Sequence, residues 1–441
     1  MKNKKIFIET YGCQMNFSDS EIVASILTAE GFDNTHNISD ADIIFLNTCS
    51  IRENAEQKIR RRLQNLCSLK KKNPGLKIGL LGCMAERLKE ELLVEENSLD
   101  IIAGPDAYRD LPRLLQQAET GFQAINTILS ADETYADIIP VRYDSNGVSA
   151  FISIMRGCEN FCAYCVVPYV RGQERSRDVS SIISEAIDLF NKGYREVTLL
   201  GQNVNSYFFK NGNESTNFAN LLEKVAMIHP DLRVRFATSH PKDISDELLQ
   251  TIASHDNICR SLHLPLQSGS TEILAKMNRR YTREQYMERI DTVRKIIPGC
   301  AISTDIITGF CDETEEDHLR TLSLMEWAEF DYAYMFRYSE RPDTLAATLY
   351  KDNVPGEIKE RRLNEIISVQ QKLSYQSNCR DINATFEVMI EGFSKRSKEQ
   401  FFGRNSQNKV IVFPKTDNKP GDNIKVKIQY VTSATLIGYA V

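Results

Sequence analysis

The sequence contains no run of about 18 apolar residues, the length a helix needs to cross a membrane, so a membrane-spanning protein is not expected. The opening residues, MKNKKIFIETYGC, have neither the apolar stretch nor the small-residue cleavage site of a secretory leader. A cytoplasmic location is expected. That compartment is reducing, so the eleven cysteines are not expected to form a disulfide framework, and clustered ones point to metal or catalysis. An excess of positive charge is also missing. The formal net charge of -6 argues against indiscriminate nucleic-acid binding and leaves room only for a local basic face. What is present is a 441-residue chain of ordinary composition, 42% hydrophobic and 26% charged, too long for one hydrophobic core.

The first 105 residues alternate apolar strand-like runs (KIFIETYGC, DIIFLNTC, KIGLLGC, LDIIAG) with amphipathic stretches at about 18–31, 52–71 and 84–95. Such alternation predicts a parallel sheet wound by helices. The first three strands each end in a cysteine: Cys13, Cys49 and Cys83. In an open parallel sheet the strand carboxyl ends share one edge, so these thiols can converge. Buried small hydrophobes are the alternative reading. After a polar linker the alternation resumes with FISIMRG, EVTLLGQ, RVRFAT, SLHLPLQ, AISTDIITGF and YAYMFRYS, which predicts a full or partial β/α barrel with its chemistry at the strand carboxyl ends. A charged helix at about 356–375 leads to short strands with turn signals, a small all-β module.

Residues 156–165 read R-G-C-E-N-F-C-A-Y-C, placing Cys158, Cys162 and Cys165 in C-x3-C-x2-C spacing just after the first barrel strand. No second C-x2-C or histidine pair lies nearby, which disfavours a four-ligand zinc site. Iron-sulfur cubanes normally take four thiolates. Three would leave one iron without a protein ligand, and an open coordination position is where a small molecule can bind and react.

This motif, with Tyr164 before the third cysteine, resembles the radical S-adenosylmethionine (SAM) superfamily. The resemblance implies a 4Fe-4S cluster on Cys158, Cys162 and Cys165 whose open iron takes the amino and carboxylate groups of SAM. One electron then yields methionine and a 5′-deoxyadenosyl radical. The stretches YGCQMNFSDSE, FLNTCSIRENAEQK, GLLGCMAER, MRGCENFCAYCVVPYVRGQERSR, LLGQNVNSY, RFATSHP and HLPLQSGS resemble the methylthiotransferases almost end to end. QMN after Cys13 and VVPYVRGQERSR look most like the branch acting on isopentenylated adenosine in tRNA. The tail is similar to the TRAM RNA-binding module.

The implied organisation is an α/β chain of three domains and a linker: a doubly wound N-terminal sheet (1–118), the linker (119–145), a radical SAM partial barrel (146–375) and a TRAM barrel (376–441). Cys13, Cys49 and Cys83 would hold an auxiliary iron-sulfur cluster, also 4Fe-4S, that supplies sulfur. Two SAM molecules per turnover would add a methylthio group to carbon 2 of N(6)-isopentenyladenosine at position 37 of tRNA. The implied partners are a tRNA anticodon stem-loop and an electron donor such as flavodoxin or ferredoxin, with the protein a monomer. Two motifs depart from the family pattern: G-F-P-G-E-T appears as Gly309-Phe310-Cys311-Asp312-Glu313-Thr314, and S-P-R-P-G-T as Ser339-Glu340-Arg341-Pro342-Asp343-Thr344. These alter which backbone angles are easy near the cofactor.

Strand-end polar residues suit binding of SAM: Gln202 and Asn203, Ser239, and Gln267 and Ser268, alongside Tyr164; helix caps or turns are the alternative. RNA contacts are expected from Arg60, Arg61, Arg62, Lys70 and Lys71 on the second helix, and from Lys395, Arg396, Phe402 and Arg404 in the tail. The competing readings are a methylthiotransferase acting on threonylcarbamoyl-adenosine or on a ribosomal-protein aspartate, and a noncatalytic RNA-binding protein with structural metal.

Overall fold

The computed structural model describes residues 3–50, 53–95, 98–143 and 145–441. Six strands form the N-terminal sheet: β1 (Lys5–Thr10), β2 (Asp33–Asn34), β3 (Ile43–Thr48), β4 (Lys77–Gly82), β5 (Ile101–Ala103) and β6 (Ala124–Asn126). They stand in the order β2-β1-β3-β4-β5-β6, every neighbouring pair parallel. β3 is buried at all its positions because helices cover both faces. Its Ile43 and Phe45 join the core with Ile22, Val23 and Leu27 of helix α1 (Gln14–Ala29). Its Ile44 and Leu46 face Ile59, Leu63 and Leu66 of α2 (Glu53–Lys72) and Met84 and Leu88 of α3 (Cys83–Glu95). The expected start of α2 at residue 52 lies outside the described residues.

Strand order reverses between β1 and β3, the switch point at which open α/β sheets leave a crevice beyond their carboxyl ends. Cys13, Cys49 and Cys83 follow β1, β3 and β4, three adjacent strands straddling that point.

Of the linker expected over 119–145, the described residues 119–143 instead pack on the N-terminal domain. They carry β6 and send Tyr135 into its core. Their polar composition is used in bonds: Arg109 pairs with Glu133 and Asp137, and the Tyr135 hydroxyl donates to the Pro105 carbonyl over 3.0 Å. β2 and β6 are too short to carry an apolar run and have no signature in the sequence.

The six barrel strands form two parallel three-stranded sheets. One runs Arg233–Ala237, Glu196–Leu200, Ser149–Ser153; the other runs Ser261–His263, Ala301–Thr308, Tyr332–Arg337. Among the described residues no continuous ladder joins the two, so the barrel is partial. Helix Gly356–Cys379 continues past residue 375 into the tail, where five strands close a barrel around Val388, Phe401, Phe413, Val426 and Leu436.

Both departures from the family pattern keep a left-handed backbone: Asp312 has φ 61° and Asp343 φ 66°. Aspartate is among the few non-glycine residues that visit this region readily, so the turns survive. Cys311 is fully buried with Phe310, Tyr338 and Ala346, and behaves as core.

Candidate active site at the domain junction

The N-terminal thiols are brought together by two Gly-Cys pairs. Gly12 has φ 140°, and a Cβ there would lie 2.6 Å from the Cys49 Cβ. Gly82 has φ 86°, and its Cβ would lie 2.5 Å from Asn47 Oδ1. Only glycine lets the three strand ends approach this closely. Two buried amides lock them: Asn16 Nδ2 donates to Asn47 Oδ1 and to the Thr48 carbonyl, each over 3.2 Å, and Asn47 Nδ2 donates to the Asn16 carbonyl over 2.8 Å. Cys13 is exposed at the rim and caps α1, while Cys49 and Cys83 are buried. The Cys13 thiol is lowered to about 6, first by hydrogen bonding with Cys49 and then by the Arg171 charge and the helix-start N–H groups of Asn16 and Met15. Burial pushes the Cys83 thiol up, with Arg171 opposing.

The second set sits on the loop after Ser149–Ser153. Gly157 turns it at φ 79°, where a Cβ would come within 1.8 Å of the Gln173 carbonyl oxygen. The Cys158 N–H donates to the Gly172 carbonyl over 3.2 Å, and Cys165 N–H to the Cys162 carbonyl over 2.9 Å. Burial raises the thiols of Cys158 and Cys165, the latter to about 12. Arg279, buried against the loop, donates to Cys162 Sγ over 3.2 Å and to the Pro265 carbonyl over 2.9 Å. Tyr164 lies half-buried beside the same guanidinium. Among the described residues no three His, Cys, Asp or Glu side chains close on a single-ion position. A cluster several atoms across spaces its thiolates more widely.

The two sets meet across a buried ionic network. Asp19 of α1 accepts from Arg156 over 2.8 Å and from Arg171 over 2.7 Å. Asp106 pairs with Arg175 at 3.0 Å and Arg156 at 3.6 Å. Arg142 joins Glu21 of α1 to Glu185 of the barrel, each at 2.6 Å. The arginines of MRGC and YVRGQERSR therefore dock the sheet edge onto the barrel mouth.

At that mouth several buried polar atoms have no protein partner: Gln202 Oε1, Asn203 Oδ1, both amide atoms of Asn205, Ser239 Oγ and Gln267 Oε1. Buried polar groups are rarely left unbonded, so this ring fits a polar ligand such as SAM. Asn203 is also fixed by donating to Asp243 over 2.7 Å. Ser268 departs from its expected role: its hydroxyl accepts from the Ser270 N–H over 3.2 Å and lies 3.5 Å from Thr321 Oγ1, inside the turn. His240 is held neutral, lowered to about 2 by burial and then by Arg279. Asn205, Asn16, Asn47, Arg171 and Arg279 have no spacing that marks them in the sequence; only the fold brings them here.

Three family models match the chain: the uncharacterized protein family UPF0004 over residues 5–104, the Radical SAM superfamily over 152–325 and the TRAM domain over 380–441. Among solved structures it is similar to the radical SAM methyltransferase TsrM from Kitasatospora setae (TM-score 0.57, 14% identity, covering 78% of this chain and 77% of that one). It is also similar to the cobalamin-dependent SAM radical enzyme OxsB (TM-score 0.55, 14% identity, 84% and 56% covered). At such identities the likeness speaks for fold alone. Over 435 residues the chain is 58% identical to the tRNA-2-methylthio-N(6)-dimethylallyladenosine synthase of Parabacteroides distasonis, covering 99% of this chain and 95% of the relative. To the synthase of that name from Chloroherpeton thalassium it is 57% identical over 436 residues, covering 99% and 96%. The chain belongs to this synthase family. It is thus a radical SAM tRNA methylthiotransferase, and the superfamily implies a 4Fe-4S cluster and SAM.

The expected RNA contacts of this methylthiotransferase separate into two groups. On α2, Arg62 pairs with Glu9 at 2.9 Å, Lys70 with Asp100, and Arg60 is half-buried; Arg61 and Lys71 are exposed. In the TRAM barrel Lys395 and Arg396 are exposed on a hairpin turn, Phe402 is half-buried, and Arg404 is tied to Glu391 at 3.2 Å. Phe393, beside that turn, is 47% exposed with Lys415 Nζ 5.6 Å from its ring centre. No helix of the described residues is long and apolar enough to cross a membrane.

Proposed function

We propose that this chain adds a methylthio group to carbon 2 of N(6)-isopentenyladenosine at position 37 of tRNA, with Cys158, Cys162 and Cys165 holding the SAM-binding 4Fe-4S cluster. In the same reading Cys13, Cys49 and Cys83 hold an auxiliary 4Fe-4S cluster, and two SAM molecules are used per turnover. The observation that carries it is the junction at Arg171. Its side chain bonds to Asp19 of the sheet domain, while its neighbour Gly172 accepts from the Cys158 N–H, so one short segment links the sheet domain to the cysteine loop.

When bound, the loop cluster and SAM supply carbon-radical chemistry for an aromatic C–H that no side-chain base can deprotonate usefully. The chain's residues bind and orient. Gln202, Asn203, Asn205, Ser239 and Gln267 offer their unpaired atoms to SAM, and Tyr164 lines the loop. His240, neutral across the working pH range, adds no charge at the mouth. Asn16 and Asn47 fix the strand ends so that the thiols do not move apart. Lys395, Arg396 and Phe393 receive the anticodon stem-loop, whose adenosine is extruded toward the domain junction. A flavodoxin or ferredoxin supplies electrons to a monomeric, cytoplasmic enzyme. Mass spectrometry of anticodon-loop nucleosides from a deletion strain tests the assignment. Isopentenyladenosine should accumulate without its methylthio group, and persistence of the methylthio form would end it.

A further inference from the structure

Arg171 has more donor capacity than its protein partners use. It is 3% exposed; its Nη2 donates to Asp19 Oδ2 over 2.7 Å, yet its Nη1 is buried with no hydrogen-bond partner. A buried N–H of a cation left unbonded is costly, so an acceptor is expected where Nη1 lies. Its partner Asp19 lies in the second turn of α1, the helix that Cys13 caps, so the guanidinium reaches the N-terminal set from the barrel side.

Charge in the network points the same way. Two carboxylates, Asp19 and Asp106, face three guanidinia, those of Arg156, Arg171 and Arg175, which leaves one positive charge that the carboxylates do not balance. Asp19 is already held by Arg156 at 2.8 Å, so Arg171 exceeds what that carboxylate requires. A group held by three thiolates brings negative charge to this place.

We propose that Arg171 Nη1 donates a hydrogen bond to the sulfur ligands of the iron-sulfur group held by Cys13, Cys49 and Cys83, raising its reduction potential; the inference rests on the auxiliary-cluster reading above. Iron-sulfur potentials respond to hydrogen bonds at sulfur and to net charge. Arg171 is thereby a positioning and tuning residue that ties the N-terminal group to the loop carrying Cys158.

The test uses the full chain with Cys158, Cys162 and Cys165 replaced by Ala, which retains only the N-terminal group. Iron per chain is measured, and the potential is followed by electron paramagnetic resonance during a redox titration. Arg171→Gln should lower the potential by a tenfold change in the reduction equilibrium, about 59 mV for one electron. Arg171→Lys keeps the charge and loses the second arm, so it should fall between. Arg175→Gln loosens the same interface through Asp106 and removes the same charge without the Asp19 pairing, so it should lower the potential by less than half as much. If Arg171→Gln fails to fold, the Arg171→Lys shift decides. An unchanged potential at full iron loading, or an equal shift in Arg175→Gln, overturns the role of Arg171. A parent chain without iron overturns the auxiliary-cluster reading instead.

Discussion

Arg171, the last residue of the short helix Val167–Arg171 that follows the clustered cysteines, donates to Asp19 of the first helix across 2.7 Å, and the two side chains are 4% and 0% exposed. Burial alone would raise the Asp19 pKa, but Arg156 and Arg171 outweigh it and hold the carboxyl below its ordinary value. Removing one partner from a buried ion pair leaves uncompensated charge.

Asp19→Asn should therefore destabilise the protein by about 3–5 kcal/mol at pH 7, read by chemical denaturation. A carboxyl depressed in the fold contributes fully above its unfolded pKa of about 3.9, and the contribution is lost as pH falls below that value. The gap between wild type and variant should narrow on acidification from pH 5 downwards. A gap that stays constant would show that the ion pair is not its source.

Gly157→Ala should abolish iron binding by the cysteine loop. Left-handed strain costs about 1–3 kcal/mol, and the overlap with the Gln173 carbonyl adds to it. Iron per chain in purified protein is the measurement; a fully loaded variant would mean the loop has another closed conformation.

Ser239→Ala should weaken SAM binding by about tenfold, the loss of one hydrogen bond in a buried site, with thermal stability little changed because Ser239 Oγ has no protein partner to lose. Calorimetry of SAM binding by the cluster-loaded protein checks this. A stability loss without an affinity loss would return the residue to a structural role.

Lys395→Glu with Arg396→Glu should weaken anticodon stem-loop binding and flatten its salt dependence by about one unit of slope for each phosphate no longer neutralised. Arg62→Glu should act mainly through stability, since Arg62 is committed to Glu9. Filter binding across a salt series separates the two.

Much of this was legible in the sequence because strand ends carry their own markers. A buried parallel strand is an unbroken apolar run, and Cys13 and Cys83 each follow a glycine where a chain must turn tightly. Charged residues were less legible. Arg62 and Lys70 look like a phosphate-binding face until the fold brings Glu9 and Asp100 to them. Arg171 and Asp19 lie 152 residues apart, and no periodicity links them. The polar stretch 119–145 reads as a linker because its order comes from side-chain bonds and a two-tyrosine contact, Tyr108 with Tyr135, instead of from an apolar run.

The tail meets the barrel in a different manner. Arg233 and Arg235 donate to the main-chain carbonyls of Arg404 and Asn405, each over 2.7 Å. Carbonyl oxygens are the same in every amino acid, so these two bonds recognise the path of a turn, while its spelling is read beside them, where Ser406 Oγ accepts from the Arg260 N–H over 2.9 Å. Residue 404 can drift in identity while the module stays seated, whereas the two barrel arginines cannot, and Asn405 is kept by the turn itself, its Oδ1 accepting from the Lys409 N–H over 2.9 Å.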